Sequence, residues 1–279
     1  MVQYFNQENQ GHLQVRYYNQ DNQIQHQLPT KSKKKIRICL ISDTHETHLK
    51  LTRNIPPCDI LIHTGDIFMT GKYRSRSTSI RKLQEFNEWT KTLPAERVIL
   101  IGGNHDFILE TLSEEEIELL LDNIIYLQNS TVSLHNFHFI GCPFSSGISG
   151  NNTFQSQSFK DQSDQFITEC KREFNENKNK NKNENKNENK NIVLLTHDYI
   201  KSYQEQLHPV LYVVGHNHFA GGISMVDDTI KANATSVNVN YEFVNEPIVL
   251  DLPRKRSTQQ QQQQQQSRYK LKANISENI

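Results

Sequence analysis

Eight side chains able to hold a cation or move a proton occupy one kind of place in this chain: Asp43, His45, Asp66, Asn104, His105, His197, His216 and His218. Each closes a short aliphatic run, in "IRICLISDTHETH" from Ile36, "DILIHTGD" from Asp59, "VILIGGNHD" from Val98, "IVLLTHD" from Ile192 and "VLYVVGHNH" from Val210. A single histidine of this kind would be an ordinary surface or core group. Together they gather two carboxylates, one amide and five imidazoles. Burying such groups unpaired costs roughly 2–7 kcal/mol each, and a divalent cation removes that cost. Imidazole and carboxylate both suit Zn, Mn or Fe. The set is too large for one closed tetrahedral site, and it contains no thiolate. Two ions sharing a carboxylate, ~3.5–4 Å apart, fit better, and such pairs drive in-line displacement at phosphorus.

The runs that must aim these groups read as strands. Ile36–Ile41 is almost continuously apolar, as in a strand covered on both faces, and Ile60–Ile62 and Val98–Ile101 repeat the pattern. Between them, Ile80, Leu83, Phe86, Trp89 and Leu93 fall at helical spacing. Ser113 and Glu116 have the spacing of a capping box, so a second helix starts there. After Asn123 short strands dominate: "NIIYL", "TVSLH", "FHFIG", "IVLLT", "VLYVV", "ISMV" and "PIVLDL". An α/β fold of two packed mixed sheets flanked by helices would bury all of these runs. In open α/β sheets ligands bind beyond the carboxyl ends of strands, where every polar cluster here lies. His63, His135 and His138 lie within strand patterns and read as structural.

The bulk composition narrows the classes. Lys+Arg and Asp+Glu each number 31, so net charge is zero and no global field favours nucleic acid or an anionic membrane. No stretch approaches the ~18 apolar residues of a membrane span, and the N-terminus "MVQYFNQENQ" lacks the apolar core of a secretory signal. Cys39, Cys58, Cys142 and Cys170 have no paired metal spacing and read as buried reduced thiols of a cytoplasmic protein. The N-x-S/T sites at Asn151 and Asn233 carry no weight without export. Three segments read as lying outside the core: Gln/Asn-rich residues 1–35, the Asn/Lys-rich insertion at 175–191, and the polyglutamine tail 254–279. Their composition buries too little apolar surface to offset ordering entropy, so they are expected to be disordered. The basic runs Lys33–Lys35 and Arg254–Arg256 read as solvated linker, with nuclear targeting the alternative. That leaves one domain at about 36–253.

In chain order, "SDTH", "GD", "GNHD", "TH" and "GHNH" resemble the calcineurin-like metallophosphoesterases across nearly all of residues 36–253. "FNEWTKTLP" from Phe86, "IYLQNS" from Ile125 and "NATSVNVNYEFVNEPIVLDLP" from Asn233 are similar to the MPPED-like branch. The resemblance implies a four-layer β-sandwich with flanking helices and phosphoester hydrolysis with two metal ions. It implies that Asp43, His45 and His218 hold one ion, Asn104, His197 and His216 the other, and that Asp66 bridges them. A hydroxide between the ions would attack phosphorus, and His105 would protonate the leaving oxygen. His48, on the "SDTHET" loop, reads first as a solvated loop residue, with substrate contact the alternative. The segment 233–253 reads mainly as two pairing strands that close the sheet.

Two departures from the family stand out. Related enzymes carry an acid three residues after the bridging Asp that helps hold the catalytic histidine charged; Met69 stands there instead. This predicts weaker general-acid catalysis on poor leaving groups. After His197, "DYI" replaces the branch's Gly-Pro-Pro, so Asp198 and Tyr199 could reshape the substrate pocket. The expected function is a two-metal phosphodiesterase or phosphomonoesterase acting on small esters, cyclic nucleotides among them. The alternative is a scaffold or binding protein with a weakened site. A nuclease fits poorly because the core lacks a basic stripe, and a protein phosphatase because the core is short.

Overall fold

Alternate residues along the strands face two different cores, as a strand's period of two requires when both faces are covered. In a computed structural model that describes residues 2–7, 13–18, 30–70, 74–147, 150–180 and 191–254, β3 (Lys35–Ile41) turns Ile38 and Leu40 into one buried cluster and Cys39 and Ile41 into another. The first cluster contains Ile60 and Ile62 of β4 (Cys58–His63), Phe139 of β8 (Phe137–Cys142), Val193 and Leu195 of β9 (Ile192–Thr196), and Leu211 and Val213 of β10 (Leu211–Val214). It holds no helical residue, so it is the interior between two sheets. The second cluster joins the opposite strand faces to helical side chains: Leu83, Phe86 and Trp89 of α1 (Arg76–Lys91), Ile167 of α4 (Gln157–Lys180), and Tyr203 and Leu207 of α5 (Lys201–Leu207). The α/β fold of two mixed sheets flanked by helices is therefore present.

One sheet runs β2-β1-β13-β3-β4-β5-β6 and the other β11-β12-β10-β9-β8-β7. The remaining strands are β1 (Val2–Gln7), β2 (Leu13–Tyr18), β5 (Ala95–Leu100), β6 (Ile124–Tyr126), β7 (Ser130–Leu134), β11 (Gly222–Val226), β12 (Thr229–Asn233) and β13 (Ile248–Pro253). β3, β4, β5 and β6 are mutually parallel, as are β8, β9, β10 and β12. Each parallel set puts its carboxyl ends on one edge, and these two edges form the common rim. The short helices α2 (Phe107–Thr111) and α3 (Glu114–Leu120) and a 3-10 turn at His48–Leu51 complete the described elements; Ser113 and Glu116 form the expected reciprocal capping box at α3. All four cysteines are buried free thiols. No helix among the described residues is long and apolar enough to cross a membrane.

Several boundaries differ from expectation. Residues 1–35 are not wholly outside the sheet: β1 pairs in parallel with β13, and β2 pairs antiparallel with β1. Their hexamers "VQYFNQ" and "LQVRYY" carry enough β-branched and aromatic residues to extend an open sheet edge. Helix α4 runs to Lys180, into the segment read as an insertion; residues 181–190 and the tail beyond Arg254 lie outside the described residues. Between β12 and β13 the chain makes only isolated bridges, Ser42 to Thr235 and Val237 to Phe243, so 233–253 is not a simple strand pair. His63 is structural as read: Gly65 N–H donates to its Nδ1, which leaves Nε2–H to face Thr44 Oγ1 at 3.0 Å. His135 sits in the β7–β8 turn with φ 52°, not in a strand.

The β3–β13 contact carries a buried ion pair between directly opposed residues. Arg37 Nε and Nη2 donate to Asp251 Oδ1 and Oδ2 at 2.8 and 2.9 Å. Removing the carboxylate takes this pairing from a buried guanidinium, so Asp251→Ala should lower stability by about 3–5 kcal/mol. The double change Arg37→Met with Asp251→Leu should recover most of that loss. Urea unfolding of the three proteins checks this; equal destabilisation by single and double variants would contradict it.

Candidate metal centre

The loops after β3, β4, β5, β9 and β10 converge on the rim through main-chain hydrogen bonds. Asp43 N–H donates to Gly65 O (2.9 Å), His45 N–H to Asp66 O (3.1 Å) and Gly215 N–H to His197 O (2.8 Å). Asp43, His45, Asp66 and His216 all have left-handed φ values, of 50, 41, 59 and 64°. Non-glycine residues rarely adopt this region, and strain of this kind gathers at functional sites. Glycines supply the clearance: a Cβ on Gly103 would strike the Asp66 carboxylate, and one on Gly215 would strike Ser42 Oγ and Asp43 Oδ2.

The side chains so placed form two adjoining donor sets. Asp43, His45 and His218 offer atoms within 4.8 Å of one another, and so do Asp43, Asp66 and His197. His218 Nε2 lies 3.4 Å from Asp43 Oδ1 and 3.3 Å from His45 Nε2. On the other side Asn104 Oδ1 faces His197 Nε2 at 3.0 Å and His216 Nδ1 at 2.9 Å. Asp66 lies between the sets. Its Oδ1 accepts the His105 N–H (2.9 Å), while its Oδ2 faces His197 Nε2 at 3.3 Å and His45 Nε2 at 3.7 Å.

Tautomers show whether cations fit here. His45 Nδ1–H must donate to Phe68 O (2.8 Å), and His197 Nδ1–H to Thr64 O (2.7 Å), because a carbonyl only accepts. In the neutral rings both Nε2 atoms therefore carry lone pairs, and these point at carboxylate or amide oxygens. Acceptors facing acceptors at this depth need a proton or a metal between them. Burial works against a charge on His197, yet the carboxylates of Asp66 and Asp43 outweigh it and lift its pKa to about 10. Burial likewise opposes the ionised forms of Asp43 and Asp66, but the neighbouring imidazoles of His218 and His197 hold both below the usual carboxylate range. A site this negative, with fixed lone pairs, matches the donor chemistry of divalent cations. A further group, Asp59, Glu96 and His135, also brings donors within 4.8 Å. There Asp59 is already matched by Lys31 and Arg254.

All eight residues singled out in the sequence reach the rim. His105 is fixed at Nδ1, 2.5 Å from Met69 O, and its Nε2 lies 3.9 Å from Asp66 Oδ2. The residue that replaces the family's acid thus still orients this imidazole, through its main chain. His48 does not join the rim. Its ring packs on Phe86 and Trp89 at 5.2 and 4.8 Å, so it is neither a substrate contact nor a solvated loop residue. Asp198 accepts from the Ser146 and Tyr199 main chain and from Ser146 Oγ, and Tyr199 stacks on Tyr212, so "DYI" braces the loop at 145–147.

Three contributors escaped the sequence reading. Asp106, fully buried, accepts the N–H groups of Asp66, Ile67, Phe68 and Gly103 and so welds two ligand loops together. Burial and the charge of Asp66 push its carboxyl up to about 7. Its signal was the last letter of "GNHD". Asn151 accepts from Asn104 Nδ2 through its carbonyl (3.0 Å) and places its amide 3.3 Å from His105 Nε2. Tyr241 lies against three of the histidines.

A profile of the calcineurin-like phosphoesterase family matches residues 36–220. The human Metallophosphoesterase domain-containing protein 1 is 26% identical over 292 aligned positions, which cover 90% of this chain and 81% of its own. A UPF0046 protein of Caenorhabditis elegans is 24% identical, covering 81% of this chain and 79% of its own. One solved crystal structure, 15% identical, superposes with a TM-score of 0.50 over 74% of this chain and 92% of the other. That last likeness concerns the fold.

Proposed function

Because the chain belongs to the calcineurin-like phosphoesterase family, whose hydrolases use a dinuclear metal centre, we propose that it hydrolyses small phosphoesters, phosphodiesters first among them, with two divalent cations (Mn, Fe or Zn). One observation carries this reading: Asp66 Oδ2 faces the Nε2 atoms of both His45 and His197, at 3.7 and 3.3 Å, and so stands between the two donor sets. Asp43, His45 and His218 would hold one ion, Asn104, His197 and His216 the other, and Asp66 both. When bound, such ions supply Lewis acidity and an activated water.

The chain's own residues do the rest. Asn151 holds the Asn104 amide by its Nδ2, which keeps Oδ1 turned to the rim. His105, whose Nδ1–H donates to Met69 O, would act as the imidazolium and pass its Nε2 proton to the ester oxygen as that oxygen's bond to phosphorus breaks. Nothing here needs a covalent phosphoenzyme. The purified protein with Mn should hydrolyse bis-p-nitrophenyl phosphate. No turnover with Mn, Fe, Zn and Co alike would sink the reading. A panel of 2′,3′- and 3′,5′-cyclic nucleotides, monoesters and diesters would then define the ester class.

The Met69 position gives a second test. A Met69→Asp variant keeps the carbonyl that binds His105 and adds a carboxylate to the same residue. Turnover should rise severalfold on esters with poor leaving groups and change little on nitrophenyl esters. No gain on the former would contradict a limiting proton transfer.

A further inference from the structure

Of the segment 233–253 expected to close the sheet, residues 248–253 do so as β13, while the stretch between β12 and β13 does something else. Val237 is buried and bridges to Phe243, which anchors a tight turn reaching over the rim. Asn238 locks that turn. Its Oδ1 accepts from Asn240 N–H (2.9 Å) and Glu242 N–H (3.0 Å), its O accepts from Tyr241 N–H (2.9 Å), and its Nδ2 donates to Glu242 Oε2 (2.8 Å). At the tip Tyr241 has φ 61°, a conformation where asparagine or glycine would be the easy choice.

The ring this turn presents meets the metal-site histidines edge to face. Its centroid lies 4.8 Å from that of His45 and 5.3 Å from that of His218, each at 87°, and 6.2 Å from that of His105. It is nevertheless 37% exposed, and its hydroxyl has no hydrogen-bond partner among the described residues. A ring needed only for packing would be covered. Phe219, one residue past His218, stands 86% exposed and adds a second uncovered ring to the loops of the rim.

We propose that Tyr241 is a specificity-determining residue: its uncovered ring forms a wall beside His105 that receives the ester's leaving group and favours a planar aromatic alcohol over an aliphatic one. The proposal rests on the hydrolytic reading above for the role of His105, and on the turn and ring geometry for the rest. The contact is aromatic, so the ring matters and the hydroxyl does not.

The test is calorimetric binding of phenylphosphonate and methylphosphonate to the Mn-loaded full chain, beside turnover of phenyl and alkyl esters. The intact protein should bind the phenyl ligand about three- to tenfold more tightly, the range of one aromatic contact. Y241F should keep that preference. Y241L and Y241A should lose it, read as the ratio of phenylphosphonate to methylphosphonate affinity within each variant. On esters, the loss should appear in KM for the aryl substrate only. A preference that survives in both Y241L and Y241A overturns the proposal. So does its loss in Y241F, or its absence from the intact protein. Phenyl-selective binding without turnover of any ester would sink the hydrolytic reading and leave the ring's role standing.

Discussion

An Asp66→Ala protein should fold normally, lose its paired ions and lose turnover by roughly 10³-fold or more. Metal ions contribute several kcal/mol to transition-state charge stabilisation, and about 1.4 kcal/mol is a factor of ten in rate. One oxygen of Asp66 faces both His45 and His197, while its other oxygen secures the His105 amide. Its removal therefore strikes both donor sets and the placement of the proton donor together. Circular dichroism and metal analysis by mass spectrometry check the first two expectations, and a Mn-dependent ester assay the third. A variant that keeps two ions per chain and works within tenfold of the intact protein would show that Asp66 is not the shared ligand.

His105→Ala should cost about 10²–10⁴ in rate, the range of a positioned general acid, but only where the leaving oxygen needs a proton. An alkoxide leaves poorly without one, whereas p-nitrophenolate is a stable anion and leaves nearly unaided. The loss should thus be large on alkyl esters and small on nitrophenyl esters, and the rate should depend more steeply on leaving-group basicity in the variant. The geometry behind this is specific. The ring is pinned at Nδ1 by Met69 O, which leaves Nε2 as the nitrogen turned to the rim, 3.9 Å from Asp66 Oδ2. A loss of equal size across all leaving groups would assign His105 to ground-state binding instead.

The candidate site was legible as a cluster because its residues follow strands that are apolar on both faces. Ile38, Leu40, Ile62, Leu195 and Val213 leave little ambiguity about where each strand ends, and the polar residue after each end is conspicuous. The capping box at Ser113 and Glu116 was legible for a similar reason, since one local pattern decides it. Helix α4 was not. Its buried Phe159, Ile167 and Cys170 fall at helical spacing, but glutamine, serine and aspartate separate them and dilute the pattern. β1 and β2 were hidden by their glutamines, and only the open edge of β13 gives them a partner. His48 looked like a rim residue by sequence distance alone, while the turn at 48–51 carries it onto Trp89. Asp106 joins loops distant in sequence, as in the bond from Phe68 N–H 38 residues away, and only the last letter of "GNHD" marks it; Tyr241 reaches His45, His105 and His218 from a separate turn that no local pattern marks.

The proposed chemistry needs a pair of cations held at one rim by Asp66. Anomalous diffraction at the manganese edge from Mn-soaked crystals would locate them. Two peaks about 3.5–4 Å apart are expected, one beside Asp43, His45 and His218, the other beside Asn104, His197 and His216, with Asp66 between them. A single peak, or peaks that do not share Asp66, would contradict that chemistry.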